Sequence, residues 1–200
     1  MSGTFPNTIK PSSIRIQDNR PTLMNHTASG RRVVRAYGSQ YWTLFVTLPP
    51  LTKDDGLEVF SFLQKQQNSF DTFSYQYPEA NRGADATNSG KTVNGAHSVG
   101  DSSIDLTGFE LSTTGVLKAG DLIEFSGHNK VYMVTADTDS DGSGNATVTI
   151  QPSLVETLAD TEAADLNKPS FKVYLVGDVT YSIDTAGFYY INFELREVIE

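Results

Sequence analysis

The run Tyr41-Trp-Thr-Leu-Phe-Val-Thr-Leu48, halted by Pro49-Pro50 and followed by Leu51-Thr52-Lys53-Asp54-Asp55, decides the fold. Trp42, Leu44, Val46 and Leu48 share one face of an extended chain, and Tyr41, Thr43, Phe45 and Thr47 share the other. Both faces are bulky, which suits a strand covered on two sides. Proline cannot donate to a ladder, so the strand ends at Pro49. Thr52 then supplies an N-cap with Asp55 three residues on, which starts one helix running to about residue 66. Leu57, Val59, Phe60, Phe62 and Leu63 give that helix a broad apolar surface. Gly56 weakens it by about 1 kcal/mol relative to Ala.

Downstream, Phe70, Phe73, Tyr75 and Tyr77 read as a short aromatic strand closing at Pro78. The last thirty residues return to long strands, with Phe171, Val173 and Leu175 alternating, then Tyr189, Ile191, Phe193 and Leu195. Their hairpin is expected to run through Gly177-Asp178 and Asp184–Gly187. Upstream, residues 1–40 are rich in Pro, Ser, Asn and Thr, with apolar islands at Ile14–Ile16 and Val33–Val34. They read as an N-terminal arm or edge strands.

Between these parts the composition changes. Residues 79–103 are rich in Gly, Asn, Ser and Asp and read as a linker or long loop. Strand candidates follow at Ser103–Leu106, Asp121–Phe125, Lys130–Thr135 and Ala146–Gln151, separated by turn signals, as in a small β-barrel or sandwich. Leu154 to Asn167 is acidic and reads as one helical turn within a return linker. Charge marks the same division: residues 1–80 carry a net +2, residues 81–170 a net −8 and residues 171–200 a net −3. The expectation is a mainly β chain with a minor α part. An arm at 1–40 precedes a β domain with one helix, built from 41–80 and 171–200, and an acidic β domain at 81–170 interrupts it.

Composition excludes several chemistries. With no cysteine there are no disulfides, thiolate metal sites or thiol nucleophiles. Three separated histidines, His26, His97 and His128, are too few for most zinc or acid–base schemes. A net charge of −9 opposes nucleic acid as the main partner. No apolar run approaches the roughly 18–20 residues of a membrane helix, and the N-terminus lacks the pattern of a secretory signal, so no membrane association is expected. The acids lie in loops or at solvent-facing strand positions, Asp121 and Glu124 among them. Ser89-Gly90-Lys91-Thr92 lacks the upstream glycine of a phosphate loop, and no enzymatic constellation emerges.

One metal-like pattern stands out, Asp137, Asp139 and Asp141 followed by Gly142, a candidate for one Ca²⁺. Val148 occupies the place of the bidentate Glu in a full Ca²⁺ loop, and the same residues also read as a solvated hairpin tip. The aromatic surplus suggests that a neighbouring chain covers some surface, with Trp42, Tyr189 and Tyr190 as candidates. Arg31, Arg32 and Arg35 read either as a docking arm for an acidic neighbour or as a solvated basic edge.

The strings from Tyr41 to Asp55, Phe60-Ser-Phe-Leu63, Phe70-Asp-Thr-Phe73 and Tyr189-Tyr-Ile-Asn-Phe-Glu-Leu-Arg-Glu-Val198 resemble tail and baseplate structural proteins of tailed bacteriophages. Val93-Asn-Gly-Ala96, Leu117-Lys-Ala-Gly-Asp121, Lys130-Val-Tyr-Met-Val-Thr135 and Gly144-Asn-Ala-Thr-Val-Thr-Ile-Gln-Pro152 are similar to small β domains inserted in such proteins. The resemblance implies a tail-tube-like β-sandwich or barrel with one helix and an inserted β domain. It further implies a homo-oligomeric ring, usually of six subunits, for which the distal tail or baseplate hub, the tube itself and a tail-terminator layer are the candidates, the distal tail or hub leading. The partners would then be further copies and other tail proteins, with DNA only as passing cargo. Such a protein is made in the host cytoplasm and carried in the virion, and the family offers no catalytic residues or cofactor. The alternative is a carbohydrate-binding or adhesive β module, stabilised by Ca²⁺ at Asp137–Asp141.

Overall fold

A computed structural model describes residues 3–87 and 90–199. Met1 and Ser2 of the expected arm, and Ser89 of the dismissed phosphate-loop-like string, lie outside the described residues. In chain order the elements are β1 (Ser13–Asn19), β2 (Thr22–His26), β3 (Arg32–Ala36), β4 (Tyr41–Thr47), α1 (Lys53–Lys65), β5 (Phe73–Gln76) and β6 (Thr92–Val93). Then come β7 (Ser103–Thr107), β8 (Leu122–Phe125), β9 (Val131–Val134), β10 (Asn145–Gln151), β11 (Ala164–Asp165), β12 (Ser170–Ile183) and β13 (Tyr189–Glu197). The fold is mainly β with one helix, as the alternation predicts. Contacts divide the chain into two compact units, Met1–Ser74 with Lys172–Glu200, and Tyr75–Phe171.

The first unit is built on a five-stranded sheet in the order β1-β4-β13-β12-β5, with β2 and β3 forming a separate two-stranded sheet. Trp42, Leu44, Val46 and Leu48 are buried together with Phe73, Val173, Leu175, Ile191 and Leu195. The opposite face of β4 is covered differently from the two-sided burial expected of it. The Arg15 guanidinium lies 3.9 Å above the Phe45 ring, and that of Arg196 lies 5.2 Å from the Tyr41 ring. Arginine stacks on aromatic faces while its charge stays hydrated, so bulky rings can sit beneath a solvated layer.

Helix α1 begins as its sequence dictates. Thr52 is the N-cap, accepting from the Asp55 N–H at 3.3 Å while its hydroxyl donates to the Asp55 carboxylate at 2.8 Å. Gly56, Val59 and Leu63 face inward. Gln67 and Asn68, both with positive φ, then turn the chain out of the helix. Two aromatic edges hold the helix at its side, Phe5 on Phe62 at 5.8 Å and Phe62 on Phe73 at 5.3 Å.

The expected turn at Gly177-Asp178 is corrected. β12 is a single strand of 14 residues paired with β13, and its register shifts between Val176 and Thr180. Gly177, with φ of 76°, takes up the extra backbone as a bulge, so the chain reverses only beyond Ile183.

The second unit is a six-stranded antiparallel sheet in the order β11-β8-β9-β10-β7-β6. It is nearly closed into a barrel, because Val93 N–H donates to Glu162 O at 2.8 Å and Ala164 N–H to Lys91 O at 3.0 Å. The four strand candidates of the sequence are β7 to β10. Its core gathers Ile104, Leu106, Ile123, Phe125, Tyr132, Val148 and Ile150. Two expectations fail here. Residues 79–103 are no mere linker, since Val93 enters the core and β6 pairs with β7. Leu154 to Asn167 contains no helical turn: Leu154, Leu158 and Leu166 are buried and β11 pairs with β8. Widely spaced leucines on an extended path seal the barrel where acidic and Ala residues suggested a helix.

Candidate assembly interface

The interface candidates separate into buried and exposed groups. Trp42 is 4% exposed, and its backbone N–H donates to the buried carboxylate of Glu197 at 3.1 Å. Tyr189 is buried too, stacked on Tyr181 at 5.4 Å. Both expectations of surface are corrected: the subunit's own core takes these rings, because β4 and β13 are neighbours inside the sheet. Tyr190, on the other face of β13, is 38% exposed. Its hydroxyl donates to Asp184 at 3.0 Å, and that bond holds its proton more firmly than usual. Asp184 also accepts from the Phe188 and Ala186 N–H groups at 2.9 Å, which keeps its carboxyl below the ordinary range.

Arg31, Arg32 and Arg35 lie on or beside the β2–β3 hairpin, whose ten strand residues are all exposed. The pairing sets Leu23 opposite Arg35, Met24 opposite Val34, Asn25 opposite Val33 and His26 opposite Arg32. Each face of the hairpin therefore mixes apolar and cationic groups. Leu23, Met24, Val33 and Val34 are each about half exposed or more, and Tyr37 beyond them is 72% exposed. Isolated two-stranded hairpins are marginally stable in water. Sequence reading identified the arginines and the Val33–Val34 island and did not single out Leu23 and Met24. The signal that could have found them is the matched pair of short runs Thr22–His26 and Arg32–Ala36, each with two adjacent apolar residues, on either side of a Gly30 turn.

The aspartates of the metal-like pattern are occupied by the chain itself. Asp137 accepts from the Ala119 N–H at 3.0 Å and the Lys118 ammonium at 2.9 Å. Asp139 accepts from the Gly115 N–H at 2.6 Å, and Asp141 from the Asn145 and Ser143 N–H groups at 2.8 Å. These donors hold Asp137 and Asp141 below the usual carboxylate range. Among the described residues no three His, Asp or Glu side chains gather around one point that could hold a metal. The three carboxylates share an open acidic groove with Asn94, Asp105 and Asn145.

Other acids are not where the sequence placed them. Asp121 is 2% exposed and accepts from the N–H groups of Arg82, Gly83 and Lys118 at 2.8–3.0 Å, knitting two loops together. Glu124 accepts from the Ser170 N–H at 2.7 Å and pairs across the sheet with Asp165. Burial first, and the Asp165 charge second, push its carboxyl up to about 7. Asp85 forms a buried 2.8 Å ion pair with Lys91. Burial would raise its carboxyl, but bonds from Lys91 and the Glu110 N–H, with the Lys91 charge, hold it below the ordinary value. His97 accepts from the Asp105 N–H at 3.1 Å, and buried His128 lies 3.3 Å from the Tyr132 hydroxyl. These groups hold the barrel together.

Charge follows the two units. The first has ten Lys/Arg and ten Asp/Glu, so the second carries the whole net charge of −9. Residues 85–180 match the family model described as the distal tail protein pb9, B domain. Across 190 residues the chain is 27% identical to distal tail protein pb9 of Escherichia phage T5, covering 92% of this chain and 90% of that one. Both findings bear out the resemblance to tail structural proteins of tailed bacteriophages.

Proposed function

We propose that this chain, similar along nearly its whole length to a phage distal tail protein, is a non-enzymatic structural component of a virion tail. It forms a ring, of six subunits, in the distal tail or baseplate hub region and docks neighbouring tail proteins. DNA passes as cargo without being a ligand, and the protein is made in the host cytoplasm before its assembly into the virion. The observation that carries this reading is the similarity to distal tail protein pb9 over both units. The exposed apolar and basic hairpin supports it, because assembly buries apolar and main-chain groups that a free subunit leaves in water.

The test is immunogold electron microscopy of the source particles with antibody against the acidic second unit. Gold at the distal end of the tail supports the distal ring. Gold along the whole tail makes the protein a tube subunit, and its absence from intact and disrupted particles overturns the reading.

A further inference from the structure

The register of the first unit's sheet places two unlike projections at opposite ends. β1 sets Asn19 opposite Tyr41 and Ser13 opposite Thr47, so the β2–β3 hairpin between Asn19 and Tyr41 leaves from the Tyr41 end. β13 sets Arg196 opposite Thr43 and Asn192 opposite Thr47, so the β12–β13 tip lies past the Thr47 end. The two ends of β4 are about 20 Å apart at ~3.3 Å per residue.

Their chemistry is complementary. Between residues 21 and 52 the chain has three arginines and no acid, and between residues 173 and 195 it has Asp178, Asp184 and Glu194 and no lysine or arginine. Both projections expose apolar groups: Leu23, Met24, Val33 and Val34 on the first, and Tyr181, Ile183 and Phe188 on the second. At the root of the basic hairpin Gln40 is 7% exposed, and neither of its side-chain amide atoms has a partner within the subunit.

We propose that the β2–β3 hairpin of one copy docks on the β12–β13 tip of the next. Arg31, Arg32 and Arg35 then face Asp184 at the tip and Asp178 at the bulge behind it, which the register sets level with the Thr47 end of β4, and the apolar residues of the two hairpins meet between them. Two different surfaces at opposite ends make the contact heterologous, and a heterologous contact closes a ring when its rotation permits. The proposal deepens the ring-forming role and rests on that reading for its biological setting. A second copy is the occupant because the chain itself carries the matching partner surface.

The native chain has no cysteine, so introduced thiols report one contact without background. Met24→Cys and Ile183→Cys lie at exposed positions and are prepared as two separate proteins. When the two are mixed and oxidised, the expected result is covalent dimer at least fivefold above either protein alone, and a chain carrying both changes gives a ladder. High salt lowers the yield, because the contact pairs opposite charges. Asp178→Arg lowers it at least fivefold against the native partner, and Arg35→Glu in the facing copy restores it. Equal cross-linking within either single protein, or none in the mixture, overturns the contact. Gold on the tail without cross-linking removes only the docking proposal, whereas cross-linking without gold on any particle removes only the tail reading.

Discussion

Gly56 of the helix lies against Tyr189 of the sheet so closely that a Cβ on Gly56 would stand 2.7 Å from the Tyr189 Cβ. Glycine is thus present to let α1 settle on β13, at the cost in helix propensity that its sequence position implies. Propensity alone makes Gly56→Ala stabilising by about 1 kcal/mol. The contact reverses the sign, and the substitution is expected to destabilise the first unit by about 1–3 kcal/mol through overpacking. Urea unfolding followed by tryptophan fluorescence checks it, since Trp42 is in that unit. Glu58→Ala, on the exposed face of the helix, serves as the control and should change stability by less than about 0.5 kcal/mol.

The buried Lys91–Asp85 pair should be far more costly to break than to leave intact. Lys91→Met leaves the buried Asp85 carboxylate without its cation and removes the ammonium that lies 5.3 Å from the Phe109 ring. The expected loss is about 3–5 kcal/mol. The folded state depresses the Asp85 value, so its contribution is present above the unfolded carboxylate range, near pH 4, and is lost as pH falls through the folded value. Acid titration of the second unit by circular dichroism should show this loss, with a shallower acid limb in Asp85→Asn.

Glu124 has the opposite sign. Its carboxyl is raised to about 7, so its contribution is largest below the unfolded value and is lost as pH rises through 7. Glu124→Gln keeps an acceptor for the Ser170 N–H and removes the charge. The variant should gain roughly 2–3 kcal/mol over the native chain at pH 8 and little at pH 4. Denaturant midpoints at the two pH values decide this, and an equal gain at both would refute the assignment.

Calcium should leave the barrel unmoved. Asp137, Asp139 and Asp141 accept backbone N–H groups and, among the described residues, do not gather around one point, so a cation would find no preformed ligand set. The melting temperature in millimolar Ca²⁺ is expected to match that in chelator within about 1 °C. A rise of several degrees, as linkage demands of a ligand well above its dissociation constant, would show a site.

Asp184 holds the β12–β13 turn through the Ala186 and Phe188 N–H groups and the Tyr190 hydroxyl. Asp184→Ala should speed amide hydrogen exchange at Ala186 and Phe188 by at least tenfold. Tyr190→Phe, which keeps both backbone bonds, should change exchange there much less. Mass spectrometry of peptides spanning residues 181–192 separates the two.

Local pattern was enough wherever the determining interaction is local. The alternation in Tyr41–Leu48 named the buried face of β4, Thr52 and Asp55 named the start of α1, and turn signals located β7 to β10. The candidate interface was legible only in part. Arg31, Arg32 and Arg35 were visible as charges, but the exposure of Leu23, Met24, Val33 and Val34 depends on no other strand covering the hairpin.

The sequence by itself determined the class of fold, the helix and its cap, and the acidic character of the second unit, because period, capping and charge are properties of neighbours along the chain. Tertiary structure decided the rest. It turned Gly177 from a reversal into a bulge through pairing with β13, drew Trp42 and Tyr189 inside, and buried Asp85, Asp121 and Glu124 among donors distant in sequence. Burial and long-range hydrogen bonding depend on which segments meet in space, and an apolar or acidic residue carries the same local signature whether it is covered or left in water.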